Sequence, residues 1–167
     1  ELLSSTHTMD IFLNLLGDDS QLTDTTVTVP SGNTPPITFT DENGESIGLV
    51  LDFVNSAGGT VTVQGVSTLP PVDENTPFVD PDGLVTDPVY PEQYYEISTD
   101  IEGNFVTDIS ISYSILPGID SPNTLRLAKR PGNSGTSEPW QLIAVSDTEV
   151  DTITGQVVAK NQSSFSQ

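Results

Sequence analysis

The residues of this chain best suited to chemistry are its carboxylates. Asp80-Pro81-Asp82-Gly83 and Asp87 lie in a proline-rich stretch, with Asp73-Glu74-Asn75 just upstream. Hard cations take roughly six to eight oxygens from carboxylates and loop carbonyls, so structural calcium held by Asp73, Asp80, Asp82 and Asp87 is the candidate cofactor. The spacing does not match the EF-hand loop, and solvated loops are the plainer explanation. A second oxygen-rich run, Asp41-Glu42-Asn43-Gly44, is explained by a hairpin turn, because Asn-Gly favours the positive backbone angles of a tight connection.

Catalytic constellations are scarce. The chain has one histidine, His7, and no cysteine. A Ser-His-Asp set would have to recruit His7, and thiolate chemistry, thiolate metal sites and disulfides are excluded. Paired carboxylates could serve glycoside hydrolysis, but acids are so abundant here that their presence discriminates nothing. Tyr90, Tyr94, Tyr95 and Trp140 are the rings available for a sugar-binding surface. Tyr94 and Tyr95 are adjacent on one strand and must point to opposite faces, so one of them is expected to face solvent. An enzyme is therefore not expected.

Charge narrows the partners. The formal net charge is -20 in 167 residues, and residues 1–125 contain no Lys or Arg at all. Such a surface repels phosphates, so nucleic acid and anionic membranes are poor partners. No run of about 18 apolar residues is present, and no membrane insertion is expected. The Lys129-Arg130 doublet could meet an acidic patch on a neighbouring copy, or simply be exposed charge at a strand end. Lys129 or Lys160 could in principle form an isopeptide bond with a buried Asn, though no motif marks one.

The elements that must position these groups read as strands. In Phe105–Ile115, Ile109, Ile111, Tyr113 and Ile115 share one face while Asp108, Ser110, Ser112 and Ser114 share the other. This alternation is what a half-buried strand requires. Further strands are predicted at 25–29, 37–40, 47–54, 60–66, 94–98 and 125–129. Trp140–Val145 and Gln156–Lys160 are predicted to pair, with 150–154 between them. Short strands at roughly ten-residue spacing predict an all-β fold, an antiparallel β-sandwich of immunoglobulin-like or jelly-roll-like type. Residues 36–167 would form the sandwich and residues 1–35 an N-terminal extension, with Glu1 a mature or trimmed end. Within the extension, Met9–Leu16 is a short apolar block for which Gly17 is a candidate helix C-cap. Ile11, Phe12, Leu13, Leu15 and Leu16 would pack on their own domain or dock on a neighbour.

Gly59-Thr60-Val61-Thr62-Val63, Pro70-Pro71, Tyr94-Tyr95-Glu96-Ile97, Leu116-Pro117-Gly118-Ile119-Asp120-Ser121-Pro122-Asn123, Leu127-Ala128-Lys129-Arg130, Trp140 and Ser163-Ser164-Phe165-Ser166 occur in an order that resembles a module repeated in large secreted proteins of gliding, polymer-degrading bacteria. The resemblance covers about residues 37–167. It implies an accessory β-sandwich exported by the type IX route, placed outside the cell or on its surface, with no catalytic residues to carry over. The expected role is a non-catalytic structural or adhesive module whose partners are neighbouring modules or copies of itself. Two alternatives stand beside it: a carbohydrate-binding module of a secreted polysaccharide hydrolase, and a subunit of an extracellular filament assembled through its N-terminal segment.

Overall fold

A computed structural model describes residues 7–12, 24–66, 79–84, 94–113, 122–131 and 139–165. The strands are β1 (His7–Phe12), β2 (Thr25–Val29), β3 (Ile37–Thr40), β4 (Ser46–Asn55), β5 (Gly59–Val66), β6 (Tyr94–Thr99), β7 (Val106–Ser112), β8 (Ala128–Pro131), β9 (Gln141–Leu142), β10 (Thr148–Asp151) and β11 (Gln156–Gln162). They form a six-stranded sheet in the order β2-β5-β6-β1-β8-β9 and a five-stranded sheet in the order β10-β11-β7-β4-β3. All pairings within these sheets are antiparallel. The all-β, sandwich-like architecture follows.

The core lies between the sheets and is built from period-two alternation. Ile47, Leu49, Leu51 and Phe53 of β4 are buried, as are Ile109 and Ile111 of β7, Val61 and Val63 of β5, and Tyr95 and Ile97 of β6. Full burial of such a side chain is worth about 1.5–3 kcal/mol. Phe105 packs against both Phe53 and Phe165, with ring centroids 5.9 and 4.8 Å apart. Polar ties also cross the gap. The Tyr95 hydroxyl donates to the Ile47 carbonyl, and Thr25 Oγ1 donates to the Thr40 carbonyl at 3.1 Å. The predicted Asn-Gly hairpin is present: Asp41 N–H donates to Glu45 O at 2.8 Å, and Gly44 takes the positive φ of 81° that the turn needs.

Three expectations change. The segment His7–Phe12 is a strand, not a helical turn, and it lies inside the six-stranded sheet between β6 and β8. With β2 on the same sheet, the expected extension supplies part of the sandwich. Gly17, Leu13, Leu15 and Leu16 lie outside the described residues. Trp140–Val145 does not pair with Gln156–Lys160: β9 joins β8 in the six-stranded sheet, while β11 runs between β10 and β7 in the other. The strand predicted at 125–129 starts later, at Ala128. Leu125 instead donates its N–H to Pro122 O at 3.0 Å, closing a short 3-10 turn at Pro122–Thr124.

Candidate functional site

The predicted cation site is the first to be placed. Asp80 opens a turn in which Gly83 N–H donates to Asp80 O at 3.2 Å. Its carboxylate accepts from Asp82 N–H at 3.0 Å and from Leu84 N–H at 2.6 Å. Arg126 then takes both acids of the turn. Nη1 lies 2.8 Å from Asp80 Oδ1, and Nη2 lies 2.8 Å from Asp82 Oδ2. The same guanidinium donates from Nε and Nη2 to Ile143 O at 2.9 and 2.7 Å. Asp82 Oδ2 also accepts Val145 N–H at 2.8 Å. The guanidinium fork pairs with both Asp80 and Asp82, offsetting one of their two charges, and ties the 80–84 turn to the 143–145 stretch. Asp73 and Asp87 lie outside the described residues. Among the described residues no three His, Cys, Asp or Glu side chains form a group that could hold a metal ion.

The aromatic surface is also placed differently. Tyr94 and Tyr95 point to opposite faces, as strand geometry demands, yet neither faces solvent. Tyr95 belongs to the main core. Tyr94 belongs to a second cluster with Ala128, Trp140 and Leu142 on the outer face of the six-stranded sheet. Trp140 is 1% exposed. Tyr94 meets it edge-on at 6.3 Å between centroids, and the Arg130 guanidinium lies 4.6 Å from its ring centroid. This lid closes the ring that a sugar would have stacked on. Tyr90 lies outside the described residues.

The basic doublet is not a pair of exposed strand-end charges. Arg130 is 4% exposed and shares the outer face with Trp140. Lys129 points the other way, into the gap between the sheets, where Nζ donates to Gln162 Oε1 at 2.8 Å. Burial pushes the Lys129 amine below its usual value, and the charge of Asp147 opposes that shift. Lys160, by contrast, bridges Asp108 and Glu149 at 3.2 Å each. His7 sits in β1 opposite Thr99, and Ile11 and Phe12 sit opposite Tyr95 and Tyr94 of β6.

Two residues that sequence reasoning did not single out organise these contacts. Arg126 is the first basic residue after 125 residues without one, a signal that was visible. Gln162 carried no signal, because its importance comes from what faces it across the sandwich. Beside the Arg126 clamp a groove of about 520 Å³ is lined by Leu84, Asn123, Leu125, Arg126, Val145 and Val150. Its walls are largely apolar, Thr124 and Thr148 add hydroxyls, and its one guanidinium is already engaged, so among the described residues it offers shape and apolar contact without a carboxylate or histidine. No protein-family model, no curated protein and no solved structure matches this chain.

Proposed function

We propose that this chain is a non-catalytic structural or adhesive β-sandwich module of a secreted or cell-surface protein. The observation that carries the reading is the Arg126 clamp on Asp80 and Asp82. The acids best placed for chemistry are used to hold a turn. The same economy extends to Trp140 and Tyr94, which close on each other under Arg130, and to Tyr95, whose hydroxyl ties the two sheets. A strongly acidic exterior over a tightly tied sandwich suits a spacer or docking unit that must stay soluble beside other modules. The resemblance to repeated modules of large secreted proteins supports the same role and an extracellular location. Purified protein assayed on polysaccharides, peptides and esters is expected to show no turnover. Turnover lost on substitution of a described carboxylate would overturn the reading.

A filament subunit is the second reading, and the position of β1 favours it. This strand fills a place between β6 and β8, so its removal leaves two open sheet edges that the same segment of another copy could satisfy. Deleting residues 1–12 should then abolish assembly, and a peptide of that segment should bind the shortened chain. A shortened chain that assembles as before removes this reading. Calcium-dependent folding and polysaccharide binding have no such observation behind them.

A further inference from the structure

We propose that Lys129 and Gln162 are the partners of an intramolecular isopeptide bond that joins the two sheets. Lys129 lies on β8 of the six-stranded sheet, and Gln162 ends β11 of the five-stranded sheet. The amine nitrogen lies 2.8 Å from the carboxamide oxygen, one bond from the carbon it would attack. Gln162 is 6% exposed. The backbone is bent to bring it there. Register between β11 and β7 breaks between Ala159 and Gln162, and Asn161 within that break has φ 55°, a conformation that costs a non-glycine residue energy. Asn161 N–H donates to Asp108 Oδ1 at 2.8 Å, which anchors the bulge. The Gln162 Nε2 donates to Lys160 O at 2.7 Å, which turns Oε1 toward the amine. A surface hydrogen bond between two long side chains would need none of this preparation.

The chemistry requires no partner from outside. The Nζ lone pair of the neutral amine forms the bond to Cδ. The Cδ–Nε2 bond breaks with its electron pair, one hydrogen passes from Nζ to the leaving nitrogen, and ammonia departs. No oxidation or reduction occurs. Burial of Lys129 raises the share of its neutral, nucleophilic form. Fixed juxtaposition supplies the effective concentration that an uncatalysed aminolysis lacks. The other lysine that the sequence offered, Lys160, is held between two carboxylates and has no carboxamide facing it among its described contacts. The purpose of the bond rests on the structural-module reading: a covalent brace between sheets suits a scaffold that bears load.

Intact-mass measurement of the full chain decides the matter. The wild type is expected to be lighter than its sequence by one ammonia, with a digest fragment joining the peptides that contain Lys129 and Gln162. Lys129→Arg keeps a donor to Gln162 but removes the nucleophile, and it should have full mass. If that variant fails to fold, the joined fragment of the wild type is sufficient evidence. A wild type of full mass after prolonged incubation overturns the proposal, as does a loss of ammonia that persists in Lys129→Arg. Either result leaves the structural-module reading standing, because that reading fails by turnover and not by mass.

Discussion

Arg126 lies 2.8 Å from Asp80, a residue 46 positions earlier in the chain, and both side chains are almost fully buried, at 7% and 8% exposure. Two formal charges have been taken out of water together. The arrangement holds because the guanidinium also satisfies Asp82 and the Ile143 carbonyl, so few of its donors are stranded.

Breaking this pair should therefore be expensive. Arg126→Met takes the guanidinium away from the buried Asp80 carboxylate, and the expected loss is about 3–5 kcal/mol in urea unfolding at neutral pH. An unchanged midpoint would mean that the 80–84 turn holds itself. Calcium or a chelator should leave the melting temperature of the wild type unchanged, since the guanidinium and backbone N–H groups already engage both carboxylates. A calcium-dependent rise in the wild type would restore the cation-site reading.

Tyr95 supplies an alkaline prediction. Its phenol is buried against the opposite sheet, and that burial pushes its ionisation above the ordinary value of 10.0. Above that pH the unfolded chain releases the proton while the folded chain retains it. Stability is therefore intact below pH 10 and falls as pH rises past it. Tyr95→Phe should flatten this alkaline decline while costing about 1–3 kcal/mol at neutral pH for the stranded Ile47 carbonyl. Unfolding curves at neutral and alkaline pH compare the two proteins, and identical alkaline slopes would refute the assignment.

Gly59 begins β5 where the chain passes close to Asp100 and Ile101. A Cβ there would lie 2.8 Å from Asp100 Oδ1 and 2.9 Å from Ile101 Cγ1, inside van der Waals contact. It would also disturb the hydrogen bond from Thr60 N–H to Asp100 Oδ1. Gly59→Ala should destabilise by about 1–3 kcal/mol through overpacking. Gly44→Ala, at a turn with open space around it, tests backbone strain alone, and a thermal melt of each separates the two causes.

Trp140 is the one tryptophan in the chain, so its emission reports on the outer cluster alone. A ring 1% exposed should emit at short wavelength and resist quenching by iodide. Soluble polysaccharides should leave that emission unchanged. Arg130→Ala should expose the ring, shift the emission to longer wavelength and cost at least the cation–π contribution of about 0.5–2 kcal/mol. A polysaccharide-induced shift in the wild type would revive the carbohydrate-binding alternative.

Much of the strand content was legible because side-chain alternation is a local property. The pattern in Ile109 and Ile111 against Asp108 and Ser110 is the same whichever strands flank it. The opposite facing of Tyr94 and Tyr95 followed from the same geometry. Solvent exposure did not, because alternation says which side a ring takes but not what covers that side. Trp140 and Ala128 cover Tyr94, and they come from residues far along the chain.

Local pattern and composition established the pleated layers, the turn at Asn43-Gly44, the absence of cysteine and the strongly acidic net charge. Long-range folding settled which sheet each strand joins, that β1 stands inside one of them, and that Asp80 and Asp82 face Arg126. The reason is physical: strand period is written within a few residues, whereas pairing and charge neutralisation depend on segments separated by tens of residues whose meeting no local pattern encodes.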